Sequence, residues 1–244
     1  FSGANVVTIG TDKYTFTVTA NGTQLNASKN GAAATKIATI DAKGIITYNK
    51  VDKNAQTLLN KSAYNVDPFT AGIEIVVTNE CDEILPLTGN KFDVKFLRPI
   101  NVVDLKSAEL KDATTGTAKI DMSKLLGLTD WRGEAFAVEP IDFYTYYGIE
   151  GATAISIDKD KIMTTLNASE AAPKLLKDVA PNMSIDYACD LKKSGNDITY
   201  GDLVYANGKF TINAPFKLFI PVTVKYTFGE VTSTVTLTIT PTHD

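Results

Sequence analysis

From Lys217 onward, apolar and polar residues alternate almost without a break. Val222, Val224, Tyr226 and Phe228 fall at period two, with Thr223, Lys225 and Thr227 between them. After Gly229-Glu230 the alternation resumes. Val231, Ser233, Val235, Leu237 and Ile239 share one side, and Thr232, Thr234, Thr236, Thr238 and Thr240 share the other. Successive side chains of a strand point to opposite faces, so this pattern predicts a β-hairpin that turns at Gly229-Glu230. One apolar face and one threonine face suit an antiparallel sheet that is wet on one side. Pro221 lacks a ladder donor and predicts an edge position or a bulge.

The same design occurs upstream. Residues 72–79 read as a strand, 80–90 as a turn region with Pro86, Gly89 and Asn90, and 91–97 as a returning strand in which Phe92, Val94 and Phe96 alternate with Asp93 and Lys95. Each hairpin is preceded by a related hexapeptide, GIITYN at 44–49 and GKFTIN at 208–213, which share Gly, Thr and Asn. Short strands at 39–43 and 204–207, and earlier ones at 14–20 and 183–188, complete an ordered series that reads as an internal repeat.

The two copies carry different insertions. The first has one near 50–71, with a short helix expected over 52–61 behind an Asp52 cap. The second has strand-like 102–110 and 118–121, and then an aromatic and helical insertion near 122–180, with helices expected at 159–166 and 169–179. The boundary is expected at residues 99–102. Domains of 1–100 and 101–244 follow, joined by a short stiff connection without a Gly/Ser run. The expected fold class is all-β: two tandem Ig-like antiparallel β-sandwiches with small helical insertions.

Composition adds exclusions. Threonine accounts for 31 of 244 residues, a β-branched bias that reinforces the β assignment. A net charge of −4 and a pI near 5.1 argue against a nucleic-acid partner. The lone histidine, His243, leaves no internal imidazole for a Ser-His or Cys-His site, and the elbow, phosphate-loop and dinucleotide motifs are missing. Cys81 and Cys189 read as free thiols and, with one terminal His, make no zinc site. No cofactor and no metal are expected. Asp158-Lys-Asp160 opens like a calcium loop, but Ile162 and the lack of a following Gly break the pattern, so a helix N-terminus is expected there. Carboxylates that could pair for glycoside hydrolysis are Glu134, Glu139, Asp142 and Glu150, but a non-catalytic role is preferred. No apolar run reaches the ~20 residues that span a bilayer. The chain opens on Phe1, which is read as the start of a piece cut from a longer precursor.

Residues 128–148, LTDWRGEAFAVEPIDFYTYYG, hold the only Trp and five further aromatics. Two readings compete. Trp131, Tyr144, Tyr146 and Tyr147 could be the ligand-binding residues of an exposed platform that stacks on sugar faces or contacts a protein. Alternatively Trp131 and Phe136 plug the second core, with Tyr144/Tyr146 or Phe143/Tyr147 alternating into it. The packing reading is favoured, because a single Trp is normally well buried.

The YTFGEVTSTVTLTI hairpin, the TDWRG…YYG stretch and the G-[KI]-[FI]-T-x-N strands resemble the tandem immunoglobulin-like modules of Bacteroidetes cell-surface lipoproteins. The resemblance covers mainly residues 100–241, with a looser echo in 1–99. It implies an exported, surface-attached protein of uncharacterised role, held by a lipid anchor upstream of this chain. The threonine-rich sheet faces and the stiff join suit a monomeric, non-catalytic spacer or adhesion module, with glycan binding through the aromatic segment as the alternative; its partners would be a glycan or a host or cell-surface protein. The resemblance supplies no site residue by position.

Overall fold

The computed structural model describes residues 1–49, 52–59, 69–105, 109–111, 117–165, 172–206 and 215–240. They form an all-β protein of mainly antiparallel sheets with short helical turns. The chain divides into two compact units, Phe1–Pro99 and Ile100–Asp244.

Unit 1 begins with a five-stranded meander: β1 (Ala4–Ile9), β2 (Asp12–Thr19), β3 (Gln24–Lys29), β4 (Thr35–Ile40) and β5 (Ile46–Tyr48). Alternation sets the buried face, with Tyr14 and Phe16 from β2 and Leu25 and Ala27 from β3 all buried. A register shift between Leu25 and Asn26 gives β4 an extra residue, so that neighbouring Ile37 and Ala38 are both buried. Helix α1 (Lys53–Leu59) lies where the Asp52 cap predicts it. The Asp52 carboxylate accepts from the amides of Asn54 (2.8 Å) and Ala55 (3.4 Å), and Ala55 and Leu59, four residues apart, both enter the core. The rest of the helix expected to residue 61 lies outside the described residues.

The upstream hairpin differs from its expected form. β6 (Phe69–Glu74) pairs with β9 (Lys91–Phe96), while β7 (Val77–Thr78), at the end of the expected strand, and β8 (Ile84–Leu85), inside the expected turn, make a separate small hairpin. The strand expected at 72–79 is broken because Asn90 takes over at its middle: the Asn90 side chain donates to Glu74 and to the Ile75 carbonyl. Phe16 and Phe96 stack at 6.2 Å and 3°, and Asn5 clasps β6 through the Thr70 carbonyl and the Gly72 amide.

Unit 2 contains β10 (Asn101–Asp104), β11 (Glu109–Lys111), β12 (Thr117–Asp121), β13 (Leu126–Thr129), α2 (Phe143–Tyr146), β14 (Ile155–Ile157), β15 (Met163–Thr165), β16 (Lys174–Leu175), α3 (Leu176–Val179), β17 (Ser184–Tyr187), β18 (Lys192–Ser194), β19 (Asp197–Thr199), β20 (Asp202–Ala206), β21 (Phe216–Tyr226) and β22 (Gly229–Thr240). Its largest sheet runs β11-β22-β21-β15-β16, with β14 also on β21. The β11–β22 pairing is parallel, a departure from the antiparallel expectation. A three-stranded sheet runs β12-β20-β17, and β10 pairs with β13.

The β21–β22 hairpin has the expected faces, with Phe216, Leu218, Ile220, Val222, Val224 and Tyr226 buried opposite Val231, Val235, Leu237 and Ile239. Its turn is displaced. Tyr226 pairs with Gly229, so the turn residues are Thr227 and Phe228, and Gly229 begins β22 at φ +136°. Pro221 sits inside the sheet, with no register shift in the β21–β22 ladder. Its carbonyl accepts from the Asp158 amide, so its nitrogen faces the gap between β14 and β15, where no ladder donor is required.

The two helices expected at 159–166 and 169–179 are mostly not helical. Only Lys159–Lys161 forms a 3₁₀ turn behind Asp158, and Met163–Thr165 is strand, held because β-branched Thr164 is fully buried and donates to the Lys217 carbonyl. Of the second, only Leu176–Val179 is helical, and 166–171 lie outside the described residues. The 208–213 strand of the proposed repeat also lies outside them. The elements that can be compared pair differently: β2 lies between β1 and β3, whereas β17 pairs with β20.

Leu237→Ala is expected to destabilise unit 2 by ~2–5 kcal/mol. Thr234→Ala, on the exposed face of the same strand, should cost under ~1 kcal/mol. Urea unfolding of the two variants checks the assignment of faces.

Candidate functional site

The aromatic segment starts with a tight reversal after β13. Thr129 bridges to Ala135 and the Phe136 amide donates to the Leu128 carbonyl, which leaves Asp130–Glu134 as the tip. Asp130 organises that tip. Its Oδ1 accepts from the amides of Arg132 (2.8 Å) and Glu134 (3.0 Å), and its own amide donates to the Glu134 carbonyl (2.8 Å). Gly133 takes φ +89°, a conformation that costs a side chain-bearing residue but not glycine. The Asp130 carboxylate is buried. Burial would raise its pKa, but the hydrogen bonds from the Arg132 side chain and from the Arg132 and Glu134 amides outweigh burial and hold it below the usual range.

Trp131 occupies the outer position of this turn and is 49 % exposed. This corrects the packing expectation for Trp131: a residue at the apex of a two-strand reversal projects away from the sheet, however apolar it is. The Arg132 guanidinium lies 5.7 Å from the indole centroid, an arrangement worth on the order of 0.5–1 kcal/mol at an exposed site. Arg132 is also held by Asp130, with Nε and Nη2 at 2.9 and 2.8 Å from Oδ2.

The other aromatics form a packed cluster around buried Phe136. Its ring meets Tyr144 edge-on at 5.5 Å and stacks on Tyr147 at 5.8 Å. Tyr144 is 2 % exposed and its hydroxyl shares a 2.8 Å hydrogen bond with that of Tyr200. Burial raises the pKa of Tyr144 despite this hydrogen bond, and burial raises that of Tyr147 as well, aided by Tyr146 and Asp130. Tyr147 is half-buried, and Tyr146, 69 % exposed, stands perpendicular to it at 4.9 Å. Of the four sequence-predicted binding residues, then, the structure exposes Trp131 and Tyr146, partly covers Tyr147 and places Tyr144 in the core. The expected alternation fails because residues 143–146 form a helical turn rather than a strand.

Asp142 starts that turn. Its Oδ1 accepts from the Tyr144 and Thr145 amides, and its Oδ2 from the Thr145 hydroxyl (2.7 Å) and from Lys193. Burial opposes the charged form, but Lys193, Thr145 and the amides together lower its pKa to about 2. Asp142 therefore acts as a helix cap. Glu134, Glu139 and Glu150 are exposed.

A feature not read from the sequence lies on the outer face of β12-β20-β17. It is a groove of about 640 Å³ lined by Lys119, Asp121, Asp186, Tyr187, Asp190 and Asp202. Asp121 and Asp202 face each other across the strands, with Lys119 at 3.9 Å from Asp202. Gly201 forms part of its wall, where a Cβ would meet the Ala188 carbonyl oxygen at 2.5 Å. These residues come from strands widely separated in sequence, so no local motif marks them. Among the described residues, no group of three or more His, Cys, Asp or Glu side chains is placed to hold a metal ion. Cys81 is exposed and Cys189 buried, both as free thiols. No helix among the described residues is long and apolar enough to cross a membrane.

No protein-family model and no curated protein matches this chain.

The single indole should emit near the wavelength of solvated tryptophan and be readily quenched by acrylamide, because nearly half of its surface is open. A blue-shifted, protected emission would contradict this placement. Asp142→Ala should destabilise unit 2 by ~0.5–2 kcal/mol through loss of the cap. Because the folded-state pKa of Asp142 is depressed to about 2, its charged form stabilises the fold above the unfolded value of about 3.8. The difference between the native chain and Asp142→Asn should therefore be full at neutral pH and fade as pH falls from about 4 to 2, as read by thermal unfolding across that range.

Proposed function

We propose that the chain is a non-catalytic cell-surface module, two Ig-like β-sandwich units in tandem that act as spacer and adhesin. It would be exported and held at the surface as a monomer by a lipid anchor on an upstream segment. The observation that carries the adhesive role is Trp131, a large apolar ring held open to solvent by a turn whose Arg132 and Glu134 amides are bound by the Asp130 carboxylate. An exposed Trp on a rigid support fits an interface anchor, since little side-chain or loop ordering remains to be done on contact. The threonine-bearing face of the terminal hairpin, with Thr223 and Thr232 joined at 2.9 Å, suits a spacer that must stay hydrated without being sticky.

A second reading, glycan binding through an aromatic platform, is favoured by the exposure of Tyr146 beside half-buried Tyr147 in the same segment. It retains Trp131, Tyr146 and Tyr147 and drops Tyr144, whose ring no ligand could reach without unpacking the core.

Both readings are tested by immobilising the chain and its Trp131→Ala variant and measuring capture of epithelial cells alongside a glycan array. Loss of capture by at least fivefold in the variant supports the adhesive role. Array hits that vanish in the variant support the glycan reading. Equal behaviour of the two proteins in both assays removes Trp131 from the function.

A further inference from the structure

We propose that the β7–β8 hairpin of unit 1 is a second docking element, whose partner is a protein surface with an apolar face bordered by Lys or Arg. The proposal goes beyond the Trp131 site and does not depend on it. Ile75, Val77, Leu85 and Leu87 are 39–44 % exposed, and Ile84 is 72 % exposed. Apolar residues scattered singly over a surface need no explanation, but a group gathered on one small element marks a contact site. Val77 lies directly across the ladder from Leu85, so the two side chains share one face, and Ile84, opposite Thr78, takes the other. Among the described residues, β7 and β8 pair only with each other, and both faces of the hairpin stay partly open.

The hairpin is closed by the same turn frame that presents Trp131. Asn79 Oδ1 accepts from the amides of Cys81 (2.9 Å) and Glu83 (3.0 Å), the Asn79 amide donates to the Glu83 carbonyl (3.0 Å), and Asp82 takes φ +60°. Asp130 makes the same bonds to the residues two and four positions on, with Gly133 in the left-handed place. Asp41 repeats them with Lys43 and Ile45. In all three turns the two residues after the Asn or Asp are exposed: Ala42-Lys43, Glu80-Cys81 and Trp131-Arg132. Asn79 Nδ2 also donates to Glu83 Oε2 at 2.8 Å, so the tip is ordered before contact and little ordering cost remains.

Charge identifies the partner. Residues 75–90 carry Glu80, Asp82 and Glu83 and no Lys, Arg or His. Anionic headgroups repel such a tip, and carrying its carboxylates into a bilayer is costly. A second copy of this chain brings the same negative charge to the contact. A cationic rim attracts the tip and sets the register, while an apolar face beside it covers the exposed side chains.

The test titrates the full chain into a fluorescein-labelled amphipathic helical peptide of Leu and Lys and reads anisotropy. Peptides with Glu in place of Lys, and with Ser in place of Leu, serve as comparators. The native chain should bind the Leu/Lys peptide at least tenfold more tightly than either comparator. Replacing Ile84 and Leu85 together by Ser should weaken that binding at least fivefold. So should the combination Glu80→Gln, Asp82→Asn and Glu83→Gln, which keeps the acceptor for Asn79 and a residue that tolerates the left-handed backbone at 82. This second variant should also lose most of the salt dependence, and it carries the test if the Ser variant fails to fold. Trp131→Ala should bind the peptide like the native chain, which separates this site from the adhesive reading of Trp131. Affinity unchanged in the hairpin variants, or equal for the three peptides, overturns the proposal. So does a concentration-dependent dimer in sedimentation that the Ser variant abolishes, which would make a second copy the occupant, or hairpin-dependent retention on phosphatidylcholine vesicles, which would make it a lipid surface.

Discussion

The apolar face of the β21–β22 hairpin is the constraint around which unit 2 is organised. Ten buried side chains alternate along its two strands, each contributing about 1.5–3 kcal/mol of transfer free energy before conformational entropy is subtracted. A face of that length must be covered over its whole extent. The side chains of β10, β12, β13, β17 and β20 belong to the same core cluster, as do Phe136, Tyr144 and Tyr200. The aromatic segment is therefore first a lid on this core, and only what remains outside is available for contact.

This explains how a single segment supplies both packing and presentation. Phe136 follows a two-strand reversal and points into the unit, as does Tyr144 on the helical turn that Asp142 caps. Trp131 and Tyr146 fall at the apex of the reversal and on the outer side of the helical turn, and the same hydrogen bonds that fix their neighbours inward hold them outward. Asp130 and Asp142 are alike in this respect. Each is a carboxylate fixed by backbone amides and paired with a cation, Arg132 in one case and Lys193 in the other. Each loses its ability to act as a free acid or base by becoming a structural element.

Much of the fold was legible in the sequence wherever the information was periodic. The terminal hairpin, the Asp52-capped helix, strand β12 and the overall β class all follow from alternation, β-branching and capping residues, which act over a few neighbouring positions. Errors appeared where pairing partners decided. Residues 163–165, read as part of a helix, became strand because β21 offered a ladder to two β-branched threonines. Pro221, which forbids a central strand by local rule, is accommodated because β14 and β15 leave a gap opposite its nitrogen. Strands β1 and β3 were not anticipated, since ANVVTI and QLNASK alternate weakly and are ordered by β2 between them.

For the candidate site, sequence alone established which residue types were present: one tryptophan, a dense group of tyrosines and no internal histidine. It could not decide which rings are open to solvent, because exposure depends on what the rest of the chain places over a residue. The tertiary structure made that decision, with Trp131 half open and Tyr144 closed beneath Phe136 and Tyr200. It also assembled a charged groove from residues up to 83 positions apart, Lys119 to Asp202. Strand composition is written locally, whereas the facing of strands, and with it every cavity and exposed ring, arises only when distant segments pair.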